Sequence, residues 1–439
     1  MLDIALIREN PELVKKSMRD RQMSVENVDR LLELDKLRRD LLGEAEALKA
    51  KRNSESKAIG KAKDPAERQE RIAAMKGVSD RIAELDKQTK ETEDELKNII
   101  SNIPNIPDEK VPYGVSDAEN QVVKTFGVEL QHEFEDRPHW DLGTNLGIID
   151  FDRGTKLSGT RFYVLNGQGA QLERALIAYM LDLHKKQGYK ERYLPFMVKG
   201  DILYGAGQLP KFADNLYHDV EEDFWMVPTA EVPLTGLYMG EIVDEAQLPM
   251  RFTAYTPCFR REKMSAGRDV RGIKRGHQFD KVEMYCYSLP EKSEEEHERM
   301  LDAACETCKL LGLNYRIIAQ CTGDLGFNAR ICYDVEVWAP GCKEWLEVSS
   351  VSNDWDFKAR RAQIRYRDSE TGKPRLLHTL NGSGLGLPRT LIAVMETYQN
   401  PDGTITVPDV LRPWMGGIEK IEKEDYTVIS GLRSVIRIG

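Results

Sequence analysis

A cluster of positive charge in one short stretch of the chain closes on a carboxylate. The stretch is PCFRREKMSAGRDVRGIKRGHQFDKVE, residues 257–283, in a chain of 439 residues with a net charge of -10. Its last residue is Glu283, and its basic residues are Arg260, Arg261, Lys263, Arg268, Arg271, Lys274 and Arg275. Because screening confines each charge to roughly 10 Å, an acidic chain can still carry a local cationic surface. Such a surface can neutralise phosphate groups.

The residues that flank this stretch predict two strands joined by a polar loop. With the two-residue period of a strand, Phe279, Lys281 and Glu283 share one face of the second strand. By the same period, Arg260 and Glu262 share one face of the first strand. An arginine binds phosphate, an aromatic ring stacks on a base, and carboxylates hold ammonium groups or Mg²⁺. A basic loop alone is more often a solvated surface, but the two flanking strands together favour a phosphate site.

Alternating patterns from residue 172 onward indicate the elements that position this hairpin. The patterns are helical at 172–189 and 387–399 and strand-like at 190–198, 250–262, 276–289, 331–339 and 344–352, with the run at 190–198 broken by Pro195. The helix at 387–399 follows a glycine-rich stretch that we interpret as a turn. Strands paired in hairpins and bracketed by helices predict an α+β fold with a mainly antiparallel sheet flanked by helices.

An amino-terminal segment, residues 28–100, differs from the rest of the chain. It contains no aromatic residue, and its apolar residues recur at three- and four-residue steps. In its middle, Gly60 is interpreted as a helix stop, Asp64 as an N-cap and Pro65 as a first helical residue. The segment therefore predicts an antiparallel coiled-coil arm of two helices, each about 50 Å long.

The charges of this arm are unevenly distributed. Near its tip, basic residues face only the carboxylates of Glu55 and Asp64. The basic residues are Lys49, Lys51, Arg52, Lys57, Lys61 and Lys63. A basic tip can bind a polyanion, but charge runs on coiled coils also form solvated outer faces, and the segment alone leaves both interpretations open.

Proline-rich sequence separates the arm from the remainder. IPNIPDEKVPYG, which begins at residue 103, ends the second helix. We therefore expect an N-terminal domain over 1–102, a linker over 103–123 and a second domain over 124–417. Residues 418–439 form a C-terminal extension of unknown role.

Composition points to a reducing compartment. The chain has no run of about 18 apolar residues, so no membrane span is expected. Its 7 cysteines lie in the second half, mostly inside apolar runs, as expected of buried thiols in a cytoplasmic protein. Cys305 and Cys308 form a CxxC on one helical face with no second pair nearby, so zinc is not expected.

Several stretches identify the family that this pattern resembles. FRRE followed after a loop by GHQFDKVE resembles motif 2 of the class II aminoacyl-tRNA synthetases, and GSGLGLPRT (382–390) resembles their motif 3. The helix and strand ending at Pro195 are similar to motif 1, which forms the dimer interface in that family. TAEVPL (229–234), EVSSVSNDWDFKARR (347–361) and VPDVLRPWMGG (407–417) narrow the resemblance to the seryl-tRNA synthetases. The amino-terminal hairpin matches the long tRNA-binding arm of that family.

The resemblance implies a fold, an activity and partners. The expected fold is the coiled-coil arm followed by a class II synthetase catalytic domain. The expected activity is that of a serine–tRNA ligase, which forms seryl-adenylate from serine and ATP and then transfers serine to the 3′ end of tRNA(Ser). Activation releases diphosphate, and the transfer releases AMP. A second candidate substrate is tRNA(Sec). A cytoplasmic homodimer is expected, as in the family.

The resemblance also assigns residues to ATP. Arg260 is similar to the arginine that bridges the amino-acid carboxylate and the α-phosphate, and Arg389 to the motif 3 arginine on the γ-phosphate. Glu262 is similar to the residue that meets the adenine amino group, Phe279 to the ring on which adenine stacks, and Arg275 to a partner of the phosphates. Of these, Arg260, Glu262 and Arg389 are expected to be catalytic. The other expected ATP contacts are Arg261, Glu347, Val348, Ser349 and Ser350.

One metal ion and no general base are implied. Glu347 and Ser350 resemble the pair that holds a Mg²⁺ bridging the phosphates, and hard cations prefer such oxygen ligands. The attacking serine carboxylate is already an anion, so catalysis is expected to be positioning and electrostatics. On the loop, Arg268, Arg271 and Lys274 are expected to meet the tRNA acceptor end.

Serine recognition is implied for a further set of residues. They are Thr229, Ala230, Glu231, Arg260, Glu283 and Ser383. Thr229 and Glu231 occupy the positions that hold the ammonium group, and Glu283 is similar to the partner of the substrate hydroxyl. A buried acceptor left unpaired disfavours alanine, and shape disfavours threonine.

Plain structural alternatives exist for two of these residues. Glu283 can be an ion-pair partner of Lys281 or Arg260, and Ser383 can serve a glycine turn. The chain also departs from the family pattern at two places. Lys263 and Met264 follow the FRxE pattern where small residues are usual, and Asp354 and Trp355 follow SSVSN where a cysteine or small pair is common.

Two other functions were weighed against this one. A relative can activate an amino acid and hand it to a carrier protein, but such relatives lack a long arm. A binding protein can retain the fold without activity, but the intact motif 2 and motif 3 residues argue against that loss.

Overall fold

The computed structural model describes residues 1–61, 63–263 and 271–423. The chain forms two compact units, of which the first is Met1–Ile106 and the second begins at Pro107. The predicted α+β class, with a helical arm and a domain built on a mainly antiparallel sheet, is confirmed. No helix within these described ranges is both long and apolar enough to cross a membrane.

Parts of two predicted segments lie outside the described residues. They are the loop residues Met264 and Arg268 and most of the C-terminal extension, 424–439. The start of that extension does have structure, because Lys420–Ile421 pairs with Ile405–Thr406 and Ile421 is fully buried.

The first unit is helical. Its helices are α1 (Ile4–Glu9), α2 (Pro11–Asp20), α3 (Glu26–Lys61) and α4 (Pro65–Ile100). Asp64 caps α4 as predicted, because its side chain accepts a hydrogen bond from the backbone of Ala66 at 2.9 Å. The predicted stop at Gly60 is wrong, since α3 continues to Lys61. At 1.5 Å per residue, each of the two long helices is about 54 Å long.

The long helices α3 and α4 run antiparallel, and their contacts weaken toward the tip. Ion pairs such as Arg38–Glu93 and Lys49–Asp86, both at 2.8 Å, join them across the hairpin. Their buried apolar residues are Val28, Leu31, Leu34, Leu41, Ala45, Ile82, Leu85 and Ile100. The described residues between Ala45 and Ile82 include no buried side chain, so the basic tip is solvated on every side.

The second unit contains the remaining helices and all the strands. Its helices are α5 (His139–Leu146), α6 (Phe151–Ser158), α7 (Gly167–Lys186), α8 (Gly200–Gly205), α9 (Glu231–Gly236), α10 (Ser293–Leu310), α11 (Phe357–Ala362) and α12 (Leu387–Thr397). Its longer strands are β1 (Gln121–Phe126), β8 (Met250–Phe259), β9 (Gln278–Ser288), β10 (Tyr315–Ala319), β11 (Ile331–Ala339), β12 (Glu344–Asn353) and β15 (His378–Gly386). Its short strands are β2 (Ile149–Asp150), β3 (Val164–Leu165), β4 (Lys190–Glu191), β5 (Met197–Val198), β6 (Trp225–Met226), β7 (Ile242–Asp244), β13 (Arg365–Arg367), β14 (Pro374–Leu376), β16 (Ile405–Thr406) and β17 (Lys420–Ile421).

An 8-stranded sheet dominates this unit, in the order β1-β10-β11-β12-β15-β9-β8-β4. Every neighbouring pair is antiparallel except β4 and β8. Even-numbered residues of β9, such as Val282, Met284 and Cys286, pack against α7, α10 and α12 in the main core. Odd-numbered residues such as Tyr285 and Tyr287 face the other side, with Ala230 of the α9 N-cap and Ala359 of α11.

The strand-like run at 190–198 is interrupted at Pro195, as its sequence indicates, because Pro195 lies between the separate β4 and β5 and cannot donate to a ladder. One other sequence prediction about this sheet is wrong. The glycine-rich stretch before α12 is not a turn but β15, a central and mostly buried strand. Its Gly384 has no room for a side chain, because the imidazole of His184 lies against it.

Two acidic side chains lie beneath the sheet on the helical side. Glu173 of α7 is buried, and among the described residues its Oε2 has no hydrogen-bond partner. Burial, together with the Asp280 carboxylate on β9, raises the pKa of Glu173 well above its ordinary value. Asp280 accepts a hydrogen bond from the Tyr255 hydroxyl at 3.0 Å, and burial raises its pKa as well.

Glu173→Gln is expected to stabilise the protein in a pH-dependent way. Because folding raises the pKa of this carboxyl, the stability present at low pH is lost as the pH rises above the ordinary glutamate value. Glutamine cannot ionise, so the melting temperature should rise by roughly 2–4 °C at pH 8 and by less at pH 5. Calorimetry at both pH values measures this. Glu298→Gln, at an exposed position on α10, is the control, and an equal shift of Glu173→Gln at both pH values would contradict the assignment.

Candidate active site

A cleft of about 540 Å³ lies on the sheet face opposite α7, α10 and α12. Phe279, Lys281 and Glu283 of β9 all line it, as the two-residue period of a strand predicts. Most of the other predicted site residues line it too. They are Thr229, Glu231, Arg260, Glu262, Arg275, Glu347, Val348, Ser350, Ser383 and Arg389.

The closed end of the cleft is built around the carboxylate of Glu283, which is fully buried. Its register partner on β15 is Ser383. Thr229 Oγ1 donates to Glu283 Oε2 at 3.3 Å, and Lys281 Nζ lies 2.5 Å from the same oxygen. The predicted ion pair with Lys281 therefore exists, and it leaves Glu283 facing the cleft. A buried carboxylate with these donors can accept a hydrogen bond from a small polar ligand.

A second carboxylate, Glu231, lies beside the first. It begins α9 and is buried. Asn381 Nδ2 lies 3.3 Å from Glu231 Oε2 and 3.3 Å from Glu283 Oε1, so one amide joins the two carboxylates. Lys358 Nζ lies 2.5 Å from Glu231 Oε1. The closed end is therefore a network of paired charges that excludes bulk water.

The open end of the cleft carries the arginines, and here the strand prediction is wrong. β8 ends at Phe259, so Arg260 and Glu262 follow the strand, and Arg275 precedes β9. The Arg260 guanidinium lies 5.1 Å from the centre of the Phe279 ring, and its Nε donates to the Pro228 carbonyl at 3.2 Å. The Arg260 guanidinium therefore lies beside an aromatic plane, between the closed end and the opening.

Glu262 adopts an unusual backbone conformation. Its φ is 49°, in the left-handed region that residues with a side chain rarely adopt. Its Oε2 accepts from Arg275 Nη1 at 3.3 Å, and the neighbouring Arg261 donates its backbone N–H to the Asn215 carbonyl at 3.0 Å. This conformation points the Glu262 side chain into the cleft and leaves Arg261 exposed. Such strain is typical of functional sites.

A β-bulge brings Glu347 and Ser350 together. Three positions apart, they would face opposite sides of a regular strand. The register between β12 and β11 shifts between Val335 and Glu336, which leaves Val348 as an extra residue on β12. The extra residue reverses the alternation, so both side chains line the cleft.

The donors at this bulge fit a divalent cation. Glu347 offers a carboxylate that is 46% exposed and Ser350 a hydroxyl, and hard cations prefer such oxygen ligands. Burial, with the Glu347 carboxylate nearby, raises the pKa of Asp334, the register partner of Ser350, to about 8. Arg389 Nη1 donates to the Glu347 carbonyl at 2.9 Å and to its carboxylate at 3.3 Å. The cation candidates and the arginine of the glycine-rich motif therefore lie side by side.

Some predicted residues do not line the cleft, and some that do were missed. Ala230 and Ser349 are buried behind the cleft wall, where Ser349 Oγ donates to the Ser383 carbonyl at 2.6 Å. Among the missed polar residues are Asn215, Asp354, Lys358 and Asn381. Asn381 lies two residues before Ser383, so the two-residue period would have found it if this stretch had been assigned to a strand.

A hydrogen-bonded centre around Glu396 anchors the chain where it returns from residues 264–270. Ile273 donates its backbone N–H to His139 Nε2 at 3.1 Å. Because Nε2 accepts, the proton of the imidazole is on Nδ1, which donates to Glu396 Oε1 at 3.0 Å. Cys342 donates its backbone N–H to Glu396 Oε2 at 2.9 Å and its thiol to Oε1 at 3.0 Å.

The side chains of His139, Cys342 and Glu396 are close enough together to bind a metal ion, but their hydrogen bonds favour a centre without one. The ligand atoms of His139, Cys342 and Glu396 lie within 4.8 Å of one another. A metal on His139 Nδ1 would displace the proton to Nε2, which already accepts from the Ile273 backbone. Burial, followed by Glu396, also raises the pKa of the Cys342 thiol, which disfavours the thiolate that a metal needs.

The residues on either side of Ile273 are also held in place by contacts with their surroundings. Gly272 has a φ of 75°, and a Cβ added there would overlap the His139 ring. Arg271 places its guanidinium 4.6 Å from the centre of the Trp140 ring, and Lys274 forms an ion pair with Glu344. The returning segment is therefore fixed to α5 and to the hairpin of β11 and β12.

Comparisons with known proteins agree with this geometry. The seryl-tRNA synthetase N-terminal domain matches residues 1–107, and the tRNA synthetase class II core domain (G, H, P, S and T) matches residues 213–398. The serine–tRNA ligase of Roseiflexus sp. (strain RS-1) is 58% identical over 423 residues, which cover 96% of this chain and 100% of that one.

Two solved structures share the whole architecture. The seryl-tRNA synthetase of Pyrococcus horikoshii, complexed with ATP, superposes with a TM-score of 0.90 at 37% identity and covers 97% of this chain and 100% of its own. The cytoplasmic serine–tRNA ligase of Naegleria fowleri, in complex with AMP, has a TM-score of 0.84 at 30% identity and covers 97% and 99%. By sequence and fold, the chain belongs to the seryl-tRNA synthetases, the serine–tRNA ligases among the class II aminoacyl-tRNA synthetases.

Proposed function

We propose that the cleft performs both steps of tRNA serylation, the formation of seryl-adenylate from serine and ATP and the transfer of serine to the 3′ end of tRNA(Ser). The observation that carries this proposal is the fully buried Glu283 at the closed end, beside Thr229 and opposite Ser383. Glu283 accepts the serine hydroxyl, and the carboxylate of Glu231 with Thr229 holds the ammonium group.

ATP occupies the open end in this proposal. Adenine stacks on Phe279, and Glu262 accepts a hydrogen bond from its amino group. Arg260 bridges the serine carboxylate and the α-phosphate, which repel each other until a cation lies between them. Arg275 and Arg389 bind the phosphate tail. The rate enhancement then comes from alignment of two anions in a cationic site.

A divalent cation completes the phosphate site, and Mg²⁺ is the proposed ion. Glu347 and Ser350 hold it with oxygen ligands. When bound, Mg²⁺ supplies positive charge to the phosphates and the leaving diphosphate. Arg389, already bonded to the Glu347 backbone, is held next to this position.

The partners proposed are tRNA(Ser) and a second copy of the chain. The arm of α3 and α4 grips the RNA through its solvated basic tip, and Arg271 and Lys274 approach the acceptor end. Arg268, in the same predicted group, lies outside the described residues. The helix and strand that resemble motif 1 form the interface of a homodimer with two-fold symmetry. Charging of tRNA(Sec) and a cytoplasmic location stay predictions.

The amino-acid specificity is tested by ATP–pyrophosphate exchange with serine, threonine, alanine and glycine. Serine should give exchange well above the others. Glu283→Gln should raise the KM for serine roughly 10-fold or more, because a charged acceptor contributes more than an amide. The KM for ATP should change little. Equal exchange with all four amino acids, or a parallel rise in both KM values, would refute the assignment of the closed end.

The role of the arm is tested by reversing charge at its tip. Lys51→Glu, Arg52→Glu and Lys57→Glu together should leave pyrophosphate exchange unchanged and lower kcat/KM for tRNA aminoacylation roughly 10-fold or more. The salt dependence of aminoacylation should weaken too, because fewer phosphates are neutralised.

A matched control changes the same number of charges nearer the base of the arm. Lys36→Glu, Lys87→Glu and Lys90→Glu alter exposed lysines there, and should affect aminoacylation much less. If base and tip variants lose activity equally, the tip has no special role.

The anchor at Gly272 is tested by Gly272→Ala. A Cβ overlapping His139 must displace the segment that carries Lys274 and Arg275, so both exchange and aminoacylation should fall roughly 10-fold or more. Gly240→Ala is the control, because Gly240 has a φ of 80° with open space around a Cβ. Gly240→Ala costs about 1 kcal/mol of backbone strain and introduces no clash. Similar activities for the two variants would show that strain alone, rather than displacement, decides the outcome.

A further inference from the structure

A lysine is buried in the wall of the closed end of the cleft. Lys358 is on α11, and its side chain is 1% exposed. A charged amine is almost never buried without partners. Burial lowers the pKa of Lys358, but the carboxylates of Asp354 and Glu231 more than offset this and hold its pKa above the ordinary value. The amine is therefore positively charged.

Three side chains converge on this amine. Lys358 Nζ lies 2.5 Å from Glu231 Oε1, 2.5 Å from Asp354 Oδ2 and 2.8 Å from Asn381 Oδ1. The last contact matters because it orients the Asn381 amide. With its oxygen fixed by Lys358, the amide nitrogen faces the two pocket carboxylates, Glu231 and Glu283. Lys358 therefore contacts Glu231 directly and Glu283 through one intermediate.

The charges of this inner group leave one negative charge uncompensated. The group holds the carboxylates of Glu231, Glu283 and Asp354 and the amines of Lys281 and Lys358. With all five ionised, the net charge is about -1. Within these five groups alone, the ammonium group of a substrate would balance the charge; Arg260, which also lines the cleft, is outside this count.

Asp354 shares the positive charge of Lys358 with Glu231. The Asp354 carboxylate is buried, with 1% exposure, one turn before Lys358 on the same segment. Because Lys358 is shared by Asp354 and Glu231, it neutralises neither completely. Glu231 thus keeps negative charge for a ligand. Asp354 also marks a departure from the usual pattern after SSVSN, which the sequence alone did not explain.

We propose that Lys358, paired with Asp354, is a positioning residue of the amino-acid pocket that holds Glu231 and the Asn381 amide in the geometry that receives serine. This inference rests on the proposed role of the closed end in binding serine. The Lys358 side chain is 1% exposed and its amine is taken up by Glu231, Asp354 and Asn381, so it acts on the substrate through Glu231 and Asn381 and is no catalytic residue. A purely structural ion pair would stabilise the fold and leave the affinity for serine unchanged.

Lys358→Met tests this in ATP–pyrophosphate exchange. Methionine keeps most of the length of the side chain and removes its charge. The KM for serine should rise roughly 10-fold or more, because Glu231 and Asn381 lose the contact that orients them, while the KM for ATP should stay within about 2-fold. An unchanged KM for serine in this variant overturns the proposal.

A second variant separates positioning from stability. Lys358→Met leaves two buried carboxylates without their cation, which costs stability. Lys358→Met with Asp354→Asn removes one of those charges and should recover much of the melting temperature, while the KM for serine stays high. If the KM returns to the wild-type value together with the melting temperature, the lysine is only structural.

A third variant isolates the sharing of charge. Asp354→Asn leaves Lys358 to neutralise Glu231 alone, and the KM for serine should rise roughly 3-fold or more without a matching change for ATP. This variant keeps the lysine, so it remains informative if Lys358→Met fails to fold. Should Asp354→Asn leave the serine KM unchanged, the sharing of charge is refuted.

A matched control breaks a partly buried ion pair elsewhere in the same unit. Arg251 of β8 pairs with Glu296 of α10 at 2.5 Å, and neither residue lines the cleft. Arg251→Met should lower the melting temperature without changing the KM for serine. An equal rise in that KM would mean that general loosening explains the effect. The wild-type protein is measured in the same series. If it shows no serine-dependent exchange, the proposed function itself is refuted, and not only the role of Lys358.

Discussion

The burial of charge at the closed end of the cleft is the constraint on which the rest of the site depends. A carboxylate removed from water is unfavourable unless cations and hydrogen-bond donors replace its hydration. Glu283 has Lys281, Thr229 and Asn381 as replacements, each within 3.3 Å. Lys281 lies on the same strand as Glu283, whereas Asn381 comes from the distant strand β15 and Thr229 from the segment before α9, so the fold must bring these donors together. The helices on the other face contribute by fixing the strands.

The two ends of the cleft have opposite character, and the reaction needs both. The closed end presents buried carboxylates with a small surplus of negative charge, which suits an ammonium group. The open end presents Arg260, Arg275 and Arg389, which suit phosphates and a carboxylate. Phe279 lies between the two ends of the cleft, with the Arg260 guanidinium 5.1 Å from the centre of its ring. In the proposed function, this arrangement orients an amino acid and a nucleotide head to tail, with the reacting carboxylate and α-phosphate near Arg260.

The sequence predicted those parts of the site that follow regular periodicity. Phe279, Lys281 and Glu283 were placed on one face because β9 is a regular strand there. Glu347 and Ser350 came only from resemblance to a family, since the extra residue at Val348 breaks the period that a sequence-based argument relies on. These assignments of substrate contacts stay predictions until tested.

The missed elements share a physical reason, which is that long-range packing overrides local preference. The glycines of β15 indicated a turn, yet the stretch is a central strand because His184 and its neighbours leave no room for larger side chains. Gly60 likewise remains inside a helix whose propagation outweighs one unfavourable residue. Lys358 gave no signal at all, because a lysine in a helix is normally solvated, and only the arrangement of Asp354 and Glu231 in space shows otherwise.

The bulge in β12 makes the length of that strand a functional property. On either side of Val348 the strand alternates normally, but the two halves are out of phase by one residue. Losing any one residue between Glu347 and Ser350 would turn one of them away from the cleft, whatever residues remained. Replacing Val348 by another side chain would leave the alternation intact. The segment can therefore change its composition more freely than its residue count, and deletion of a single codon would separate the two proposed cation ligands as surely as replacing one of them.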